Sequence, residues 1–109
     1  MSIITLTKDN FKAEVLESKT PVVVDFMAKW CAPCKMMDPI IEETAKELDG
    51  VGVKIARLDV DLEPDIAQRY QIMSVPTILS FKSGKVVEQI VGTKTKKELL
   101  AKFTALVGA

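Results

Sequence analysis

The sequence contains no histidine and only two cysteines, Cys31 and Cys34. A structural zinc site takes about four protein ligands, mostly cysteine and histidine. Two thiols without a third, and without an imidazole, argue strongly against one, so no metal is expected. The same absence excludes c-type haem attachment, which needs histidine directly after C-x-x-C; here Lys35 follows Cys34. Net charge is absent too: 15 basic residues balance 15 acidic ones. Nothing in that balance favours a nucleic-acid partner, and no block of like charge marks a disordered tail. Apolar runs are far shorter than the roughly 20 residues that cross a bilayer, so no membrane association is expected. Met1-Ser2-Ile3-Ile4-Thr5 has neither the charged start nor the long apolar stretch of a secretory leader. These absences point to the cytoplasm. In that reducing compartment a C-x-x-C pair is better suited to catalysis or metal binding than to stapling a fold.

What is present is enough for one compact domain, 1–109, with no repeat, linker or low-complexity segment. The chain has 109 residues, 48% of them hydrophobic, which suits a single core of limited stability margin. Ile3–Leu6 has strand character. Thr7 is placed to cap a helix whose apolar stripe is Phe11, Val15 and Leu16. After Pro21 the run Val22–Met27 is apolar on both faces, as a central strand covered on both sides should be; Asp25 alone interrupts it. A helical pattern over roughly Cys34 to Leu48 follows, with Met37, Ile41, Ala45 and Leu48 on one face. Pro33 lies in its first turn, where proline is tolerated. Pro39 lies inside it and should bend the helix rather than end it, because the periodicity continues.

The second half alternates in the same way. Val53–Val60 reads as a strand with Ala56, Leu58 and Val60 on one face. Pro64 opens a short helix through Tyr70, with Ile66 and Tyr70 inward. Thr77–Lys82 and Lys85–Val91 are strands separated only by Ser83-Gly84, which requires an antiparallel hairpin. Thr95 and Glu98 form a capping box ahead of a last helix whose stripe is Leu99, Phe103, Leu106 and Val107. Early crossovers demand parallel pairing and the late hairpin antiparallel pairing. The expected fold is therefore α/β, a mixed five-stranded central sheet flanked by four helices.

The cysteines sit where the Val22–Met27 strand gives way to a helix. Free backbone N–H groups and the positive end of the helix dipole stabilise an anion there, so a thiolate on Cys31 is favoured. Cys34, three residues on and inside the helix, is close enough to attack a mixed disulfide on Cys31, and should be the more buried of the two. The surroundings leave alternatives open. Asp25 either reaches solvent or a backbone donor, or is buried and has its pKa raised. Pro76 could be an ordinary strand-entry proline, and Trp30 an ordinary core residue.

Five separated pieces, in this order and spacing, resemble the thioredoxin family: Val24-Asp25-Phe26, Trp30-Cys31-Ala32-Pro33-Cys34-Lys35, Asp59-Val60-Asp61, Val75-Pro76-Thr77 and Phe81-Lys82-Ser83-Gly84. The resemblance covers nearly the whole chain. It implies the thioredoxin fold, with the strands that hold Asp25, Leu58 and Ile78 at its centre. It also implies a protein-disulfide reductase in which Cys31 is the nucleophile, Cys34 resolves the mixed disulfide, and Asp25 is a buried general base acting through water. By the same resemblance Pro76 is cis and packs on the dithiol, the backbone of Val75 pairs with an extended substrate, and Trp30, Ala32, Pro33, Val91 and Gly92 complete a flat apolar docking patch. Arg57 matches a position where the family commonly has lysine near the carboxylate. Arginine keeps the charge but cannot release a proton.

The implied partners are thioredoxin reductase and disulfide-containing protein substrates. The implied carrier of electrons is the Cys31–Cys34 pair itself, with no bound cofactor, in a monomer. Two positions depart from the family pattern: Ala32 replaces the usual glycine, and Met27 stands where tryptophan is frequent. Neither removes a reacting group. The Ala32-Pro33 dipeptide, without histidine, speaks for a reductant rather than a disulfide oxidase or isomerase. A module that only binds partners through the patch around Trp30 is the alternative from outside catalysis.

Overall fold

The structure, a computed structural model, describes residues 3–107. In chain order it forms β1 (Ile4–Thr5), α1 (Lys12–Leu16), β2 (Val22–Met27), α2 (Ala32–Glu47), β3 (Lys54–Asp59), α3 (Pro64–Arg69), β4 (Thr77–Lys82), β5 (Lys85–Val91) and α4 (Lys96–Ala105). The five strands make one mixed sheet in the order β1-β3-β2-β4-β5. β3 runs parallel to β1 and β2, whereas β4 runs antiparallel to β2 and β5. The expected fold class, with β2 at its centre, is the one observed.

Each face of the sheet has its own core, and the alternation of β2 divides them. Val22, Val24 and Phe26 pack with Phe11 and Val15 near α1, Ile66 of α3, and Phe81. Val23 packs on the other face with Met37, Ile41 and Ala45 of α2 and with Leu99 and Phe103 of α4. Strand side chains alternate between faces with a period of two. Asp25 and Met27 therefore share the face of Val23, the one that α2 covers, and on β3 Arg57 shares it with Ile55. Each large apolar side chain fully buried in these cores contributes about 1.5–3 kcal/mol, so a one-residue slip of β2 would cost far more than the fold could tolerate.

Local chemistry sets the joints. The β4–β5 hairpin turns through Ser83 and Gly84, both with positive φ (53° and 78°), as a tight two-residue turn of the right twist requires. A Cβ on Gly84 would lie 2.7 Å from the carbonyl oxygen of Leu16, so no larger residue fits without displacing α1. Pro39 is accommodated inside α2, which runs unbroken from Ala32 to Glu47.

Two expectations need correction. The first helix is only five residues long, and the Glu17 N–H donates to the carbonyl of Lys12, five residues back. Thr7 serves the turn ahead of it, where its hydroxyl accepts from the Asp9 N–H at 3.2 Å. At the other end, Val107 does not join the buried stripe of α4 but is 38% exposed. The last residues tighten to i→i+3 bonds, Leu106 to Phe103 and Val107 to Thr104, which rotates Val107 off the face it would hold in a continuing helix.

The capping box is formed. The Glu98 N–H donates to Thr95 Oγ1 and the Thr95 N–H donates to Glu98 Oε1, both at 3.2 Å. Thr95→Ala removes the first acceptor and is expected to cost about 1 kcal/mol, read as a lower urea midpoint with an unchanged slope.

Candidate active site

The site begins where β2 ends. The Val60 N–H donates to the Met27 carbonyl at 2.9 Å and the Cys31 N–H to the Ala28 carbonyl at 3.2 Å, so the short connection into α2 is held at both ends. Cys31 is the N-cap of α2, in extended conformation (φ −86°, ψ 111°), and Pro33 lies in the first turn. There proline removes only an N–H that would have no helical partner. The Cys34 N–H donates to Cys31 Sγ at 3.2 Å, and no acidic side chain occupies that turn. Both features favour negative charge on Cys31 once it is reduced.

Cys31 and Cys34 are joined as a disulfide, with Cα atoms 5.2 Å apart. The two residues are 3% and 2% exposed, so the expected contrast between an open and a buried cysteine is not seen. Cys31 is covered because its Sγ lies 3.6 Å from the carbonyl oxygen of Val75. The Val75–Pro76 peptide is cis. The Pro76 carbonyl in turn accepts the Gly92 N–H at 3.0 Å, which brings the start of β4 and the end of β5 beside the dithiol. Gly92 has φ +86°, and the space in front of it is open.

Trp30, Ala32, Pro33 and Val91 are exposed, and Val75 is half-buried. Trp30 is 69% exposed, which rules out the core reading of this residue. Its indole N–H donates to Asp61 Oδ2 at 2.8 Å. Between Trp30 and Val75 runs a shallow cleft of about 150 Å³, lined also by Val60, Ile72, Met73 and Ser74. Met73 is 92% exposed.

Beneath the helix lies Asp25, 2% exposed, so its side chain does not reach solvent. Burial pushes its carboxyl up from 3.8 to about 6; the Arg57 charge pulls against that rise and Asp38 adds to it. Arg57 faces Asp25 across the β2–β3 register. Its Nε is 3.7 Å from Asp25 Oδ2 and its Nη2 3.4 Å from Asp38 Oδ1. The first distance is an ion pair too long for a hydrogen bond, and Asp25 Oδ1 has no hydrogen-bond partner.

Four contributors escaped the sequence reading. Asp38 carries a signal, since it lies four residues after Cys34 and shares its helix face. Asp61 lies in the Asp59-Val60-Asp61 piece, but nothing in the chain order places it against Trp30. Ile72 and Met73 precede Val75-Pro76 closely enough to have been suspected. Among the described residues no group of three or more metal-ligating side chains occurs, and no helix is long and apolar enough to cross a membrane.

Comparison with known proteins accounts for this arrangement. The family model Thioredoxin matches residues 2–105. Thioredoxin of Mycobacterium tuberculosis (strain ATCC 25618 / H37Rv) is 44% identical over 104 residues, covering 95% of this chain and 89% of that protein. Thioredoxin of Chlorobaculum thiosulfatiphilum is 45% identical over 102 residues, 94% of each chain. A bifunctional thioredoxin reductase/thioredoxin of Mycobacterium leprae is 44% identical over 104 residues, which make up 95% of this chain and 22% of the larger one.

Proposed function

The chain belongs to the thioredoxin family and is a thiol-disulfide oxidoreductase; from that premise we propose that it reduces protein disulfides, with Cys31 as nucleophile, Cys34 as resolving thiol and Asp25 as general base. The observation that carries this reading is the cysteine pair at the N-terminus of α2, with a buried carboxylate on the sheet face that α2 covers.

In the reduced protein the Cys31 thiolate attacks one sulfur of a substrate disulfide. A Cys31–substrate disulfide forms and the other substrate sulfur leaves as thiolate. Cys34 then loses its proton and attacks Cys31 Sγ, which releases the second substrate thiolate and closes the Cys31–Cys34 bond. Counting the proton that Cys31 lost on becoming a thiolate, the chain gives up two electrons and two protons; the substrate takes the electrons, and its two thiolates are protonated from solvent. No cofactor is required, because the dithiol is itself the carrier. Asp25 is suited to take the Cys34 proton: with a carboxyl near 6 it is mostly ionised at neutral pH, yet more basic than an ordinary aspartate.

Substrate would lie along the cleft between Trp30 and Val75. The Val75 backbone pairs with an extended peptide, Pro76 backs the dithiol, and Ala32, Pro33, Val91 and Gly92 form the rim. An external donor must then reduce the disulfide again. The reductase fused to the M. leprae relative supports a thioredoxin reductase as that donor. The cycle requires a reducing compartment such as the cytoplasm and no second copy of the chain.

The assignment of roles has a direct test. Limiting iodoacetamide added to the reduced protein near neutral pH is expected to alkylate Cys31, because the helix terminus favours its thiolate. Peptide mapping that found most of the label on Cys34 would reverse the two roles.

A further inference from the structure

We propose that Asp38, acting through Arg57, is a positioning residue that sets the pH at which Asp25 takes up its proton. Its consequence for catalysis rests on the reading of Asp25 as the base for Cys34. The geometry is that of one cation shared by two anions. Arg57 reaches Asp25 from Nε at 3.7 Å and Asp38 from Nη2 at 3.4 Å. A guanidinium with a single carboxylate partner tends to grip it with two parallel bonds of about 2.7–2.9 Å. Here neither contact is that short, and Asp25 Oδ1, Arg57 Nε and Arg57 Nη2 are all buried without a hydrogen-bond partner.

Arg57 is therefore held between the carboxylates rather than clamped on Asp25. Asp38 acts on Asp25 in two ways of the same sign. It draws the fixed positive charge toward α2, and it adds a negative charge of its own; both keep Asp25 more ready to accept a proton. Arginine suits the central place because it cannot neutralise itself by giving up a proton.

Among the described residues, Arg57 and Asp38 are the charges that act on Asp25. Asp25 pairs across the sheet with Arg57 on β3 and Ile78 on β4. On the same face, α4 contributes Leu99 and Phe103 and β5 contributes Ile90, all apolar. From α2 and its N-cap come Asp38 and the two cysteines, which titrate only after reduction. Asp38 lies one helical turn past Cys34 on the same face of α2, so the residue that holds Arg57 belongs to the helix that carries the resolving thiol.

The test is a carboxyl-carbon NMR titration of the oxidised protein, with the Asp25 signal assigned by its loss in Asp25→Asn. Asp38→Asn is expected to move the Asp25 midpoint to lower pH by roughly half a pH unit or more, and Asp38→Glu to restore it. Arg57→Gln should move it to higher pH, and in that background Asp38→Asn should have a smaller effect than in the parent. A merely structural role for Asp38 would change the melting temperature and leave the midpoint in place. An unmoved or raised midpoint in Asp38→Asn overturns the proposal, and so does an effect undiminished without Arg57. Rapid-quench release of a mixed disulfide then separates the two readings. If the midpoint moves but the pH profile of release does not follow it, the link from Asp38 to Asp25 stands and Asp25 is not the base.

Discussion

Asp25→Asn is expected to unfold at higher urea than the parent at pH 7, and to release its mixed disulfide more slowly. The stability part follows from linkage. In the unfolded chain the carboxyl titrates near 3.8; in the fold, burial raises it to about 6. Below the lower value both states are protonated and the group exerts no effect. As pH rises from there to about 6 the unfolded chain loses its proton first, so stability falls. Above about 6 the full cost of burying the charge is present, about 3 kcal/mol for a displacement of this size.

An amide of the same shape titrates nowhere in this range. The variant should therefore gain most of that amount at pH 7, and its advantage should vanish as pH falls toward 4. Urea melts at the two pH values read this directly. Equal stabilities at pH 7 would place the carboxylate in contact with water. The kinetic part follows from the same burial. Without a base nearby, Cys34 loses its proton slowly, and the Cys31–substrate disulfide accumulates in rapid-quench experiments while its rate of formation is unchanged. Unchanged release would leave water as the proton acceptor.

The two cysteines should separate more sharply still. Cys31→Ser removes the attacking atom, and insulin reduction is expected to fall to the uncatalysed rate. Cys34→Ser keeps the first step and loses the second, so a stable Cys31–insulin disulfide should be trapped. Well-placed intramolecular groups act at effective concentrations of about 10⁵ M or more. Millimolar external thiol should then release the trapped complex on the order of 10⁸-fold more slowly than Cys34 does. Insulin reduction persisting in Cys31→Ser would sink the catalytic assignment. Unreduced insulin still held by that variant would point instead to a module that only binds through the patch around Trp30.

Much of this was legible in the chain because it is written in local chemistry. The two-sided apolar run Val22–Met27 announces a central strand, Ser83-Gly84 a hairpin, and Thr95 with Glu98 a helix start. The cysteine pair at a strand-to-helix junction announces thiolate chemistry before any fold is known. Helix ends were less legible. The loss of Val107 from the α4 stripe depends on two i→i+3 bonds that compete closely with helix continuation, and α1 is too short for its sequence periodicity to define its hydrogen bonding.

By itself, then, the order of residues determined the element sequence, the class of fold and the redox pair, since each rests on contacts among neighbours or on periodicity. The environment of Asp25 was decided only by the tertiary structure. Its lone carboxylate in an apolar strand left open whether it met solvent or was buried. The answer came from α2 covering that face of the sheet, from Arg57 arriving in register 32 positions later, and from Asp38 on the helix above. The pairing of Trp30 with Asp61 and the approach of Cys31 to Val75 were decided in the same way. Electrostatic and packing forces act over a few ångströms of space, and only the folded chain sets those distances between residues far apart in sequence.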